Sequence, residues 1–417
     1  MAQVLDKGTI VKPAEMIDPT KQEFKLYKKD YLTAIKRSVV LSSFLSQYLL
    51  KVVVVFLLAK GVEPWVAVSL PVVLDLSRLI ASSSKPLIKL SFTSSYKTTH
   101  LLFVCLTALL GFVLMQCTTI WSIYPITFLL GALTGFQNSC VTSLSTQNPR
   151  YEPYCLIYWE RSVAIGGVMG YVLSQILYDI SPVLFVIGFI AIALFGFFFN
   201  FGMKDISAQS DKMESIEECK ELTVKEKKKI VLSTGLFAIT LGIWGIAFSA
   251  MEELLPLVTT KVGYVNALYL GFEIISFLLI SGSIVIKIKK KRMLMFVEFL
   301  ILLIDICCLF FTSLFPTLVC FMICYSVSGI FASLADPVWG SIISSLSQSN
   351  RQKYLLVNRT YYVIRMITTI LALVICRQIV VMGIEYFKYL AIILFILMVV
   401  FYVIQELVVN KLYKISF

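Results

Sequence analysis

Residues 203–229 read MKDISAQSDKMESIEECKELTVKEKKK, rich in both charge signs and without apolar periodicity. This is the one long hydrophilic segment inside an otherwise apolar chain, and it predicts an extramembrane linker. Upstream lie six apolar blocks near residues 38–59, 65–84, 98–118, 120–142, 155–177 and 181–202. Downstream lie six more, near 230–251, 263–286, 293–313, 315–343, 355–378 and 384–408. Each is close to the ~20 residues that an α-helix needs to cross a bilayer. The expected organisation is an N-terminal arm (1–37), a six-helix bundle (38–202), the linker (203–229), a second six-helix bundle (230–408) and a tail (409–417). The fold class is therefore an all-α polytopic membrane protein with about 12 transmembrane helices in two pseudo-symmetric bundles.

Composition agrees. Of 417 residues 58% are hydrophobic and 15% charged, with a mean hydropathy of +0.86, whereas a soluble chain is close to ~25% charged. The ten-residue alternation of a β-barrel is not seen. The single histidine, His100, argues against a Ser/His/Asp triad or a His cluster. The ten cysteines are scattered, most of them within apolar runs, with no metal-ligand spacing. No cofactor is expected. Nor is a signal peptide, because the first thirty residues are polar and mixed in charge.

Basic residues are unevenly placed. The arm, the even-numbered loops, the linker and the tail hold 29 of the 37 Lys and Arg, and the opposite loops hold only Lys60, Lys261, Arg377 and Lys388. Positive charge stays in the cytoplasm, so both termini are expected there, in a multi-pass protein of the cell membrane. The net charge of +12 follows from this topology, and no nucleic-acid partner is needed to account for it.

The halves also resemble each other. Val39-Val40-Leu41-Ser42-Ser43 is answered by Ile230-Val231-Leu232-Ser233-Thr234, and Pro64 by Pro256. Ile88-Lys89-Leu90 is answered by Ile286-Lys287-Ile288, and the run Ser143–Asn148 by Ser345–Asn350. The offset drifts from 191 to 202, as loops lengthen in a parallel duplication. Such a repeat places a binding site between the halves near the bilayer midplane.

Six plus six helices around a charged central loop resemble the major facilitator superfamily, across nearly the whole chain from about Lys28. The family's loop after the second and eighth helices reads G-x-L-x-D-R-x-G-R-R/K. The second copy here, Gly282–Lys291, keeps the glycine and the basic cluster but has Ile286 for the Asp and Lys289 for the second glycine. The first copy, Ser84–Thr93, retains Lys89 alone. The family's G-x-x-x-G-P motif of antiporters is matched by Gly166 and Gly170, with Tyr171 in the proline position; close helix packing accounts for that spacing equally well. The resemblance implies alternating access by a monomer in the lipid bilayer. A small-molecule substrate moves, with the proton as a candidate coupling ion.

Ionisable groups inside a membrane are expensive and need a partner, water or a task. Asp75 and Glu273 fall on equivalent central positions of the second and eighth helices and are the candidate ion-coupling acids; for Asp75 the alternative is an ion pair with Arg78. Lys51, Arg161 and Arg365 form the candidate cationic substrate site, since Arg suits bidentate binding of carboxylate or phosphate. Near the interface Arg161 has a second reading, a snorkelling side chain neutralised by Glu160. Asp336 joins the substrate set because Pro337 frees a carbonyl and is expected to break or kink the helix beside it. The gating candidates are Arg78, Lys287 and Glu252, the last paired in sequence with Glu253 at a helix end that is otherwise simply wet. Glu298 and Asp305 read as peripheral packing charges, and the abundant aromatics as interface belts and core.

The function expected is secondary transport of a small polar or charged organic solute. The alternatives are a drug/proton antiporter and a transporter-like receptor that moves nothing. An enzyme is not expected: HExxH, GxSxG and P-loop patterns are all missing.

Overall fold

The computed structural model describes residues 33–84, 95–146, 152–203, 223–280, 291–347 and 351–412. Within these the chain is helical almost throughout, because in lipid each backbone N–H and C=O must be satisfied inside its own helix. The spans run as follows, numbered in chain order. Span 1 is Thr33–Leu50 continued by Val52–Ala59, and span 2 is Pro64–Val68 continued by Leu70–Ser83. Spans 3 to 6 are Tyr96–Gln116, Ile120–Thr146, Glu152–Ile180 and Pro182–Phe201. Spans 7 to 12 are Val224–Val258, Val262–Ile280, Lys291–Leu314, Leu318–Ser347, Arg351–Met382 and Phe387–Leu412. Ten are long and apolar enough to cross a bilayer, and the described apolar parts of spans 8 and 10 are Val262–Ser276 and Leu318–Ala332.

Two expectations need correction. Span 7 opens at Val224 on a capping box, in which the Thr223 side chain accepts from the Glu226 N–H and Glu226 reaches back to the Thr223 N–H. The last six residues of the expected linker are therefore helix, and residues 204–222 lie outside the described set. Hydropathy cannot see this, because a charged first turn belongs to the helix but not to the bilayer. Secondly, span 10 runs through Pro337 without interruption. The chain breaks instead at Lys51 in span 1 and at Ser69 in span 2. One proline removes one hydrogen bond, which neighbouring packing tolerates in a membrane.

Neighbour relations repeat between the two sets of six. Span 1 packs on span 5 as span 7 packs on span 11, and span 2 on span 4 as span 8 on span 10. Span 3 lies on span 6 as span 9 lies on span 12. Across the middle, span 5 meets span 8 and span 11 meets span 2, the two contacts that a two-fold relation would exchange. Small residues permit the closest approaches. A Cβ on Gly166 would stand 2.3 Å from the Val40 carbonyl oxygen, and one on Gly170 2.6 Å from that of Phe44. The glycine pair of span 5 is thus a seam for span 1, the packing reading of that motif. Burial follows position: 72% of the apolar window of span 1 is buried, against 22% for span 6, whose Phe195, Phe198, Phe199 and Phe201 face outward.

Candidate functional site

Lys51 sits at the break in span 1, about 12 Å along the helix from its end at Ala59. Its ammonium forms an ion pair with Glu252 of span 7; the side chains are only 6% and 15% exposed. Glu252 is therefore no wet helix end. Glu253 beside it is 1% exposed, with one carboxylate oxygen lacking a hydrogen-bond partner among the described residues. Burying one charge here without its partner would be costly, so the Lys51–Glu252 pair ties the two halves together.

Further ties lie at the same end of the bundle, where spans 5 and 7 finish and spans 2 and 8 begin. Lys261 Nζ meets Asp179 Oδ2 at 2.8 Å. The Gln175 amide donates to the Thr260 carbonyl at 3.0 Å and accepts from the Gly263 N–H at 2.9 Å. The Arg377 guanidinium lies 4.1 Å from the centre of the Trp65 ring. Spans 2, 5, 7, 8 and 11 are thereby laced together at that end.

Toward the middle, side chains of both halves converge. The Tyr171 hydroxyl (span 5) donates to Gln47 Oε1 (span 1), and Tyr171 feels the charges of both Glu252 and Glu273. Glu273 is half-buried in span 8. Tyr325 of span 10 is fully buried, feels Glu252 and Tyr171, and its hydroxyl has no hydrogen-bond partner among the described residues. A buried hydroxyl left unpaired costs about 1–3 kcal/mol.

Arg365 of span 11 stands half-buried across span 7. Its Nη1 donates to the Leu241 carbonyl at 3.2 Å, and its guanidinium lies 6.0 Å from the centre of the Trp244 ring. Gly245 makes the room: a Cβ there would stand 2.9 Å from Arg365 Nη1. Among the described residues no carboxylate forms an ion pair with Arg365. The acid behind Trp244 is engaged elsewhere, since Asp305 accepts from the Trp244 indole N–H and the Ser328 hydroxyl. Asp305 is 1% exposed and holds spans 7, 9 and 10 together, as a packing charge does.

The remaining candidates lie apart. Asp75 and Arg78 form an ion pair within span 2, with side chains 28% and 40% exposed, so the structural alternative for Asp75 is the geometry found. Arg161 is exposed and about 15 Å along span 5 from Tyr171. Lys287 lies outside the described residues, and Asp336 outside those whose side chains are described. The sequence reading missed Tyr325, the Trp244 contact and the burial of Glu253. The run Gly242-Ile243-Trp244-Gly245 was the available signal, since glycines flanking a Trp mark a face where another chain segment comes close.

No protein-family model matches the sequence, and no curated protein matches it. Solved structures do match its fold. A structure concerned with substrate recognition in proton-dependent oligopeptide transporters superposes with a TM-score of 0.72 at 11% identity, covering 92% of this chain and 99% of the other. A POT family transporter in complex with 5-aminolevulinic acid gives 0.69 at 12% identity over 90% and 96%. A mutant of the nucleoside transporter NupG gives 0.61 at 16% identity over 90% and 99%. The fold is that of the major facilitator transporters.

Proposed function

We propose that this chain, built on the major facilitator fold, is a secondary transporter that carries a small polar or charged organic solute by alternating access. The observation that carries this reading is the Lys51–Glu252 ion pair, which joins the halves, while further along, against span 7, stands an arginine whose charge no described carboxylate neutralises. Lys51, Glu252 and the Asp179–Lys261 contact act as a latch that shuts one end of the cleft. The other end then admits solute from the side of the linker, which the distribution of Lys and Arg assigns to the cytoplasm. Arg365 grips an anionic group of the solute.

Coupling to protons rests on the acids around the latch. Lys51 neutralises Glu252, whereas the buried Glu253 has no ion-pair partner among the described residues, and Glu273 is a half-buried acid of span 8. A proton taken up by either changes the charge balance beside the latch and shifts the equilibrium between closed and open ends. The test is proton flux into proteoliposomes loaded with a pH-sensitive dye, with amino acids, peptides, organic anions and lipophilic cations added in turn. The reading expects a solute-triggered pH change that disappears in Glu273→Gln or Glu253→Gln. Solute exchange with no pH change in folded wild type would retain the transporter and remove the proton; no exchange of any solute would favour a receptor that moves nothing.

A further inference from the structure

We infer that the solute carries an aromatic ring together with an anionic group, a carboxylate or phosphate, held by Arg365; this rests on the same site as the transport reading. Four rings from three spans form a continuous surface in the second half. Trp244 and Phe248, one turn apart on span 7, stack at 5.5 Å with planes 15° apart. Phe248 meets Tyr269 of span 8 at 5.3 Å, and Tyr269 meets Tyr325 of span 10 edge-on at 6.2 Å. Trp244, Phe248 and Tyr269 are each only half-buried. Span 7 is ringed by spans 9, 10, 11 and 12 of its own half and faces span 2 of the other, so what it leaves uncovered opens on the cleft and away from lipid.

The two ends of this surface carry different polar groups. At one end Arg365 stands against Trp244 with a single hydrogen bond, to a backbone carbonyl, among the described residues. At the other, the Tyr325 hydroxyl is buried and has no hydrogen-bond partner among the described residues. A planar solute lying along the rings places an anionic group on Arg365. Asp305, by fixing the indole N–H, sets the plane of Trp244 and is a positioning residue. An aromatic amine fits less well, because the charge that touches the rings is positive and the Glu252 carboxylate is already neutralised by Lys51. Ring-on-ring contact favours an aromatic over a saturated solute by roughly 2- to 12-fold per well-placed pair.

The experiment is saturation-transfer NMR on the full purified chain with three matched probes: phenylacetate, cyclohexylacetate and phenethylamine. Phenylacetate is expected to bind at least about tenfold more tightly than cyclohexylacetate and to show the strongest transfer at its ring protons. Phenethylamine is expected to be weakest. Arg365→Gln should remove the preference for the acid over the amine while leaving ring transfer; Phe248→Leu should do the converse. Thermal unfolding of each variant shows that it remains folded. Equal affinity for the two acids, tighter binding of the amine, or no binding of any probe overturns the inference. Phenylacetate binding without solute exchange in liposomes would sink the transport reading alone, and exchange with no ring preference would sink this one alone.

Discussion

Each half of the molecule contains a cluster of aromatic rings, and the two have opposite characters. In the first half Tyr48, Phe185 and Phe189 are fully buried, with Tyr48 and Phe185 stacked at 5.2 Å and only 6° between planes. The Tyr48 hydroxyl is satisfied by the Phe185 carbonyl at 2.8 Å. In the second half Trp244, Phe248 and Tyr269 are partly uncovered, and the Tyr325 hydroxyl has no hydrogen-bond partner among the described residues. Charges divide in the same way: Asp75 and Arg78 neutralise each other within one helix, while Arg365 has no such partner among the described residues. The duplication has preserved helix packing and let the chemistry diverge. On the proposed reading the first half supplies Lys51 and a rigid wall, and the second supplies the surface for solute.

The largest effect that sharpens this contrast comes from the tie between the halves. Lys51→Met should destabilise the fold by about 3–5 kcal/mol by stranding Glu252, read from denaturant or thermal unfolding. The double variant Lys51→Met with Glu252→Leu should recover most of that loss, because two apolar residues bury without a stranded charge. Solute exchange should stay abolished in both, if the pair is a latch and not merely a brace.

Next in size is a matched pair of ring deletions. Phe185→Ala removes a fully buried ring and should cost about 3–5 kcal/mol. Phe248→Ala removes a half-buried one and should cost about 1–2 kcal/mol while raising the KM for solute about tenfold. Equal stability losses with no change in KM would place both clusters in the core and break the comparison.

Arg365→Gln should shift stability by less than about 1 kcal/mol but weaken an anionic solute by about 10-fold or more, a charge-assisted hydrogen bond being worth about 1.5–3 kcal/mol. Uptake assays across the solute panel check this. The smallest effect is expected at Asp75→Asn, within about 1 kcal/mol in stability and little in transport, since its ion pair is partly exposed. A complete loss of transport there would restore Asp75 as a coupling acid.

The spans were legible in the sequence because lipid demands them: a run of twenty apolar residues leaves the backbone no other conformation. Helix ends were less so. Thr223, Val224 and Lys225 lie in a polar stretch, and what makes them a helix start is a reciprocal side-chain cap, which hydropathy does not register. Arg365 and Glu273 stood out because a charge deep in an apolar run is conspicuous. Lys51 stood out likewise, but its partner did not: Glu252 is 201 residues away, next to Glu253 at a helix end that looked wet. Only packing shows that one of these acids pairs across the molecule and that the other is sealed in. Asp305 was read as a packing charge, but its partners Trp244 and Ser328 lie on other spans and were not legible in the sequence.

The most direct test of the latch is to fix it. In a chain whose ten native cysteines are replaced by alanine or serine, Asp179→Cys and Lys261→Cys put thiols on the two residues of the present ion pair, which a bis-methanethiosulfonate reagent long enough to replace the lost side-chain length bridges reversibly. Counterflow of solute in proteoliposomes is then measured before cross-linking, after it, and after reduction. Alternating access through this end predicts that the cross-linked protein exchanges nothing and that reduction restores exchange. Undiminished exchange through a cross-linked protein would contradict it, because a solute that crosses with this end held shut does not use the cleft between the halves.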